Sequence, residues 1–230
     1  MPALFGMTQL MATQEPVPEP SSHYHHGNLH QAMLEAAIAE LRTGSVEQLS
    51  LRALARRVGV SQSAPYRHFR DKDDLLAQLA IWSFNELEQA LLSACQSAAP
   101  LRQRLRACGY AYIQYALSHP EKYRLMFGRF LPDRQQNPGL HESGERAFMV
   151  LANLIAEGIN EAVLIPQDPK LLAFHLWSSI HGLSSLLLDD FDHCDTQHDP
   201  ATRARLIESS LDLLGSGIVR QNREPRNSQA

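Results

Sequence analysis

From Leu29 onward, apolar residues recur at intervals of three and four along most of the chain. This spacing places them on one face of a helix. The first such face is formed by Leu29, Met33, Ala36, Ala37 and Leu41. The sequence contains no convincing run of alternating β-branched residues, no hairpin signal and no internal repeat. The pattern therefore predicts an all-α protein.

Residues that start or stop helices divide this pattern into elements. Asn28 and Gln31 resemble a capping box, and Gly44 ends the first helix. The next three helices are predicted to be capped by Ser50, Ser61 and Asp71, and the third of them runs to about residue 97. Prolines at or near predicted starts favour helices over 102–117, 120–127, 138–165, 170–188 and 201–219.

The segment Leu51–Phe69 reads as two short helices separated by a turn at Gly59, which is the pattern of a helix-turn-helix. Its second helix begins with Gln62, Ser63 and Ala64, which are small or polar and so allow the backbone to approach base edges. Pro65 removes one helical hydrogen bond in the first turn, where the loss is tolerable. The predicted DNA-binding residues are Arg52, Ser61, Gln62, Ser63, Ala64, Tyr66, Arg67, His68 and Lys72. The alternative is a plain three-helix core containing Leu54, Val58, Val60 and Phe69.

Charge is distributed unevenly along the 230 residues, whose formal net charge is −4. Between His23 and Lys72 there are seven Lys and Arg against four Asp and Glu. A basic excess at the helix-turn-helix is what phosphate contact requires, although a solvated basic face would look similar.

Composition predicts four regions. Residues 1–22 and 221–230 resemble disordered tails, because the first is rich in Pro, Glu, Gln and Ser and the second in polar residues. Between them we expect a DNA-binding domain over 23–72 and a helical regulatory and dimerisation domain over 73–220. Three cysteines without CxxC spacing indicate neither a disulfide framework nor a zinc site. The chain shows no signal peptide and no run approaching about 20 apolar residues, so we expect a cytoplasmic protein with no membrane partner.

The C-terminal region is rich in aromatic side chains with polar tips, which are typical of a pocket for an apolar small molecule. The candidate ligand-binding residues are Tyr112, Tyr115, Met126, Phe127, Phe130, Phe148, Phe174, Trp177 and His181. The alternative is that these residues form plain core, with His181 hydrogen-bonded inside it. The last two helices are apolar over much of their surface, which indicates a partner subunit.

The stretch His26–Ala80 resembles the DNA-binding domain of TetR-family transcriptional regulators, through LSLRALARRVGVS, YRHF and DKDDLL. The rest resembles the WHG subclass of C-terminal domains, through Trp177, His181 and Gly182 and through HPEKYRLMF (119–127). The resemblance implies a homodimer, with the last two helices in its interface, that binds a palindromic operator in duplex DNA. It also implies repression relieved by a small-molecule effector. The positions that it implies face DNA are Gln62, Ser63, Ala64, Tyr66, Arg67, His68 and Lys72. Pro65 departs from the usual residue at its position.

Three other functions are weighed against this one. A metal-responsive regulator is suggested by His175, His181 and the loop residues His193, Cys194, Asp195 and His198, although their spacing matches no strong zinc pattern. A helical dimer that binds only proteins is the second. An enzyme is not expected, because the chain has no G-x-S-x-G, phosphate loop or H-E-x-x-H. No cofactor is predicted.

Overall fold

The computed structural model describes residues 29–96, 99–133, 137–189 and 199–219. These residues form eight α-helices and two short 3₁₀ helices and contain no strand, with one isolated bridge between Leu164 and Val219. The prediction of an all-α fold is confirmed. The helices are α1 (Leu29–Leu41), α2 (Leu51–Arg57), α3 (Lys72–Cys95), α4 (Leu101–Ser118), α5 (Pro120–Phe127), α6 (Pro138–Asn160), α7 (Pro169–Leu188) and α8 (Pro200–Ile218).

Aspartate or asparagine caps the starts of α3, α6, α7 and α8. The Asp71 carboxylate accepts a hydrogen bond from the Asp74 amide at 2.8 Å, and Asp168 accepts from the Leu171 amide at 2.8 Å. Asp199 likewise accepts from the amides of residues 201 and 202. Each cap satisfies an amide that has no partner within its helix. The helices α5 to α8 all carry proline in their first turn, as the sequence predicted.

The predicted helix over 138–165 is too long at its C-terminal end. The helix α6 ends at Asn160, because Ala162 adopts a left-handed backbone with φ of 57°. The amides of Ala162 and Val163 turn back to the carbonyls of Ile159 and Gly158, at 3.0 and 2.9 Å. This closure is usually made by glycine, so the sequence gives little warning of it.

The apolar side chains form two cores. One packs α1, α2 and the first two turns of α3 around the fully buried Met33, Phe69 and Leu75. The other packs the rest of α3 with the helices that follow, around Ile113, Met126 and Ile155. The helix α3 therefore belongs to both.

The outer faces of α7 and α8 leave large apolar side chains exposed. Leu171, Phe174 and Leu186 on α7 are each about half exposed, and Leu213 on α8 is 72% exposed. By length and composition alone α7 could cross a bilayer, whereas no membrane-spanning segment was predicted from the sequence. One lysine, two histidines and four serines interrupt its apolar surface.

Candidate DNA-reading face and regulatory cavity

Gly59 makes the turn between the two helical segments of the predicted helix-turn-helix. Its φ is 74°, in the left-handed region that favours glycine. The Gly59 amide donates to the Arg56 carbonyl at 3.2 Å, and the Val60 amide donates to the Ala55 carbonyl at 3.0 Å. These two bonds form a Schellman motif, which satisfies the free carbonyls of α2 and fixes the exit of the chain.

The second segment differs from the prediction. A helix capped by Ser61 was expected, but the structure has a single 3₁₀ turn over Ala64–Arg67. The Ser61 hydroxyl lies 3.2 Å from the Ser63 hydroxyl and does not cap this turn. Pro65 explains the difference, because it has no amide to donate to Ser61 and it disfavours a helical backbone at Ala64. The Ser61 carbonyl instead accepts from the Ala64 amide at 3.0 Å, the shorter 3₁₀ spacing.

Most of the predicted DNA-binding residues are exposed to solvent. Ser61, Gln62, Ser63, Arg67 and His68 are exposed, and so is Arg52 on α2. Tyr66 is half exposed despite its size. Pro65 and Phe69 are both buried, and Phe69 packs in the N-terminal core. Ala64 and Lys72 are partly buried, and the Lys72 ammonium donates to the Glu47 carbonyl at 2.9 Å.

The arginines of this surface differ in how their charges are satisfied. Arg57 forms an ion pair with Glu40 at 2.6 Å, which ties α2 to α1. In the described part of the chain, the guanidinium groups of Arg52, Arg56 and Arg67 have no ion-pair partner. Exposed cations without counter-charges are suited to phosphate contact.

The C-terminal core contains a cavity of about 470 Å³, which is lined by residues of all the helices from α3 to α8. The volume is in the range of small-molecule sites. Its wall is mainly aliphatic and aromatic. Exposed polar residues line it where α4 meets α8, including Arg106, which pairs with Asp212 at 3.1 Å, and Arg102, which donates to the Ser216 hydroxyl at 3.1 Å.

Five of the nine candidate ligand residues lie in the cavity wall: Tyr112, Phe127, Phe148, Phe174 and Trp177. The other four do not. Met126 is fully buried, Phe130 lies under the Arg129 guanidinium, and the Tyr115 hydroxyl donates to the Ser83 carbonyl at 2.9 Å. His181 lies beside the wall and contacts it through the neighbouring aromatic residues.

A hydrogen-bond network connects the cavity wall to α5. The Trp177 indole donates to the Tyr112 hydroxyl at 3.1 Å, and Tyr112 donates to the Tyr123 hydroxyl at 3.4 Å. Both tyrosine hydroxyls lie within 2.9 Å of His181 Nδ1. Burial lowers the pKa of His181, so its imidazole is neutral at pH 7 and Nδ1 can accept. Burial raises the pKa of both tyrosines, which therefore stay protonated: Tyr112 donates its one proton to Tyr123, and Tyr123 donates to Nδ1 at 2.7 Å.

The short helix α5 contacts both cores. Leu125 packs into the N-terminal core, whereas Phe127 lines the cavity and Tyr123 joins the hydrogen-bond network. At the start of α5, Glu121 pairs with Arg42, just beyond the end of α1, at 3.3 Å. One element of eight residues thus joins the cavity wall to the core beneath the helix-turn-helix.

Both the N-terminal and the C-terminal part of the chain match known protein families. Residues 33–79 match the family model described as bacterial regulatory proteins of the tetR family. Residues 105–214 match that of the tetracyclin repressor-like C-terminal domain, and the two matches together span about two thirds of the chain. The chain belongs to the TetR family. It is a DNA-binding transcription regulator and not an enzyme.

Solved structures share the whole architecture of this TetR-family regulator. A protein of unknown function from Rhodococcus sp. RHA1 is 29% identical over 86% of this chain and 100% of its own, with a TM-score of 0.75. A TetR family transcription regulator from Marinobacter aquaeolei VT8 is 20% identical, covering 83% of this chain and 95% of its own, with a TM-score of 0.61. The fatty acid degradation regulator FadR from Bacillus halodurans is 14% identical, covering 81% and 94%, with a TM-score of 0.67. At these last two identities the likeness concerns the fold alone.

The family assignment leaves the finer subclass open. Trp177, His181 and Gly182 occupy α7, with the tryptophan and histidine in the network described above. The description of the matched C-terminal family does not specify the WHG subclass, so that subclass stays a prediction.

Sequence reasoning missed most of the aliphatic cavity wall and the place of Leu125 in the N-terminal core. Leucines at helical spacing look alike whether they line a void or fill one, so no signal could have separated them. The missed apolar wall residues are Phe84, Leu87, Leu91, Leu105, Cys108, Ala147, Leu151, Leu164, Leu176, Ile180, Leu211, Leu214, Ile218 and Val219.

The residues suggested as metal ligands do not come together where the structure describes them. His175 and His181 are six positions apart on α7, and no group of three potential ligands occurs within the described ranges. The loop residues His193, Cys194, Asp195 and His198 lie outside those ranges, as do Asn28 and the two predicted tails.

Proposed function

We propose that this protein is a ligand-responsive homodimeric repressor, which leaves a palindromic operator when an apolar small molecule enters the C-terminal cavity. The observation that carries the proposal is the double contact of α5, through Leu125 in the N-terminal core and Phe127 in the cavity wall. A regulator working on the genome would act in the cytoplasm.

The DNA contacts divide into two classes in this proposal. Gln62, Ser63 and Ala64 lead the turn that Gly59 presents, so they face base edges in the major groove. Ser63 and Ala64 are small, which compensates for the short 3₁₀ element because the backbone itself can approach the bases. The surrounding residues Arg52, Ser61, Tyr66, Arg67, His68 and Lys72 contact phosphates and fix the register.

The exposed faces of α7 and α8 supply the dimer interface. Leu171, Phe174, Leu186 and Leu213 form an apolar surface that a monomer would leave in water. Gly182 and Gly217 lie on the same faces with open space around them, so a partner helix could approach closely. A twofold pair of helices would place two DNA-reading turns about 34–36 Å apart, one helical repeat of DNA.

In this proposal, release from DNA follows from a structural change in the wall of the C-terminal cavity. The cavity suits an apolar molecule with few polar groups, held by Phe127, Phe148, Phe174 and Trp177 and oriented by the Tyr112 hydroxyl. A ligand packed against Phe127 and Trp177 displaces α5, which carries Leu125 and Glu121 against the DNA-binding domain. The ligand shifts the equilibrium only by its difference in affinity between the two states.

Selection of genomic fragments bound by the purified protein tests the proposal and supplies its operator. We expect a palindrome, bound by two protomers with strong salt dependence. Screening apolar compounds against that complex should then yield molecules that release it, and Phe127→Ala should weaken release while operator binding persists. Recovery of a site bound by one protomer, or compounds that release the Phe127→Ala complex as well as wild type, would contradict the proposal.

A further inference from the structure

The C-terminal cavity joins an apolar interior to a charged edge at the protein surface. On α4 it is lined by residues from Arg102 to Tyr112, a length of about 15 Å at the helical rise of about 1.5 Å per residue. Tyr112, at the inner end, belongs to the hydrogen-bond network with Trp177. Arg102, at the outer end, is exposed to solvent and reaches Ser216 on α8. We call this outer edge, between Arg102 and Ser216, the rim of the cavity.

Arg102 holds a positive charge at the rim that no carboxylate neutralises. Its guanidinium donates to the Ser216 hydroxyl at 3.1 Å, and that hydroxyl in turn donates to the Asp212 carbonyl at 2.7 Å. Within the described ranges Arg102 forms no ion pair, and a neutral hydroxyl is its one hydrogen-bond partner. A guanidinium has five N–H donors, so most of those of Arg102 remain available to a ligand.

Arg106 lies one turn further along α4 and also lines the cavity, but its charge is compensated. It pairs with Asp212 at 3.1 Å and with Glu208 at 3.9 Å. These pairs tie α4 to α8 and leave Arg106 little free charge for a ligand. Arg102 is therefore the cation of the rim that an anionic ligand can use.

The ionisable residues that line the cavity on α6 favour the same anchor. Glu145 lies in the wall, and its carboxylate is 3.9 Å from the His141 imidazole. The negative charge of Glu145 repels an anion on that side of the cavity. An anionic group is thus favoured at the rim and disfavoured along α6.

We propose that the molecule bound in this cavity is an amphipathic anion, whose carboxylate or sulfonate binds Arg102 at the rim and whose apolar body extends inward toward Tyr112. This inference rests on the proposed function, because it names the chemical class of the effector. A guanidinium binds an oxyanion through charge-assisted and often bidentate hydrogen bonds. Gly215, next to Ser216, leaves open space just inside the rim, since nothing lies within 4 Å of the position that a Cβ would take. An anion held by Arg102 can therefore insert its apolar body beside Gly215.

Two dyes with the same ring system and different charge test the anchor by fluorescence titration of the full-length protein. Anilinonaphthalene sulfonate is an anion, whereas N-phenylnaphthylamine lacks the sulfonate and is neutral. Arg102→Gln should weaken binding of the sulfonate dye about tenfold or more, the usual effect of losing hydrogen bonds to a charged group. It should leave the affinity for the neutral dye unchanged, which also shows that the variant is folded. Arg102→Lys keeps the charge without the planar fork and should lose less affinity for the sulfonate than Arg102→Gln.

Salt provides a second measure of the same contact. Added sodium chloride should weaken binding of the sulfonate dye to wild type, because the rim is exposed and its charge is screened. The neutral dye should not respond to salt, and Arg102→Gln should remove most of the response of the sulfonate dye. A response of the sulfonate dye that is as large in Arg102→Gln as in wild type would contradict the assignment of Arg102 as the anchor.

Matched variants separate a failure of this inference from a failure of the proposed function. Arg205→Gln removes an exposed arginine of α8 that does not line the cavity, and it should bind both dyes like wild type. Gly215→Leu should exclude both dyes. If Gly215→Leu excludes both dyes but Arg102→Gln leaves the sulfonate affinity unchanged, or lowers both affinities equally, the anionic anchor is wrong while the cavity remains a ligand site. Dye binding that Gly215→Leu does not reduce would overturn the ligand site itself, and the proposed function with it.

Discussion

Gly215 offers a way to fill the cavity without disturbing its surroundings. It lies on the inner face of α8 and lines the cavity, and nothing lies within 4 Å of the position a Cβ would take. Gly215→Leu therefore places an isobutyl group into open space. We expect this variant to fold, to keep its affinity for DNA, and to lose the ability to bind an apolar ligand.

The expected change in stability follows from two contributions. Replacing glycine by leucine inside a helix stabilises it by about 0.8 kcal/mol. Fully burying a leucine side chain is worth about 1.5–3 kcal/mol, and only part of this is expected because Gly215 is half-buried. The variant should be more stable by about 2 kcal/mol, which raises Tm by about 4–8 °C in a protein of this size.

Fluorescence titration with anilinonaphthalene sulfonate measures the cavity directly, because the dye brightens in apolar surroundings. Gly215→Ala is the matched control, since it gains most of the helix stabilisation and adds only a methyl group. We expect Gly215→Ala to bind the dye like wild type and Gly215→Leu to bind it at least tenfold more weakly. A Gly215→Leu protein that melts at a lower temperature than wild type, or that binds the dye unchanged, would refute the account of an open, ligand-accessible cavity.

Four further outcomes are expected. Arg67→Ala should weaken binding to all DNA sequences about equally and should reduce the slope of log K against log salt concentration by about two per dimer. Fluorescence anisotropy at several salt concentrations measures this slope, and an unchanged slope would show that Arg67 does not contact phosphate. Leu213→Glu should weaken dimerisation about a hundredfold or more in sedimentation, because each protomer loses about 1.5 kcal/mol of apolar burial, whereas Asn153→Glu on α6 should not. Asp71→Ala should cost about 0.5–2 kcal/mol in urea unfolding through loss of the α3 cap; an unaltered midpoint would contradict this. Burial lowers the pKa of His181 in the folded state, so the contribution of the neutral imidazole to folding stability is fully present above the unfolded pKa of about 6.5 and is lost as pH falls through the folded pKa. The free energy of unfolding of His181→Gln should therefore fall less on acidification than that of wild type. Parallel profiles of unfolding free energy against pH would contradict this.

The sequence predicted those features that depend on local signals. Caps and prolines placed the start of most helices to within one residue, since an amide at a helix start must find a nearby partner. The bounds of α5 were predicted correctly. Two predicted helix ends were wrong, and each depends on a single residue. Pro65 reduces the second helix of the helix-turn-helix to one 3₁₀ turn, and Ala162 ends α6 earlier than predicted.

Features that depend on three-dimensional packing were beyond sequence reasoning. Phe127 and Phe148 line the cavity while Met126 and Tyr115 do not, although all four are apolar or aromatic residues at helical spacing. Helical periodicity distinguishes the inner face from the outer face, but it carries no information about whether the space opposite a side chain is filled.

The position of Leu125 in the N-terminal core has a consequence for anyone who divides this protein into parts. A fragment that stops at residue 96 would leave a leucine-sized hole beneath α1 and α3, at a cost of about 2–5 kcal/mol. A chimera that joins this DNA reader to a foreign sensor would meet the same defect unless the graft retained α5. A transplantable DNA-binding unit is therefore discontinuous in sequence, because it needs residues 120–127 in addition to the N-terminal core.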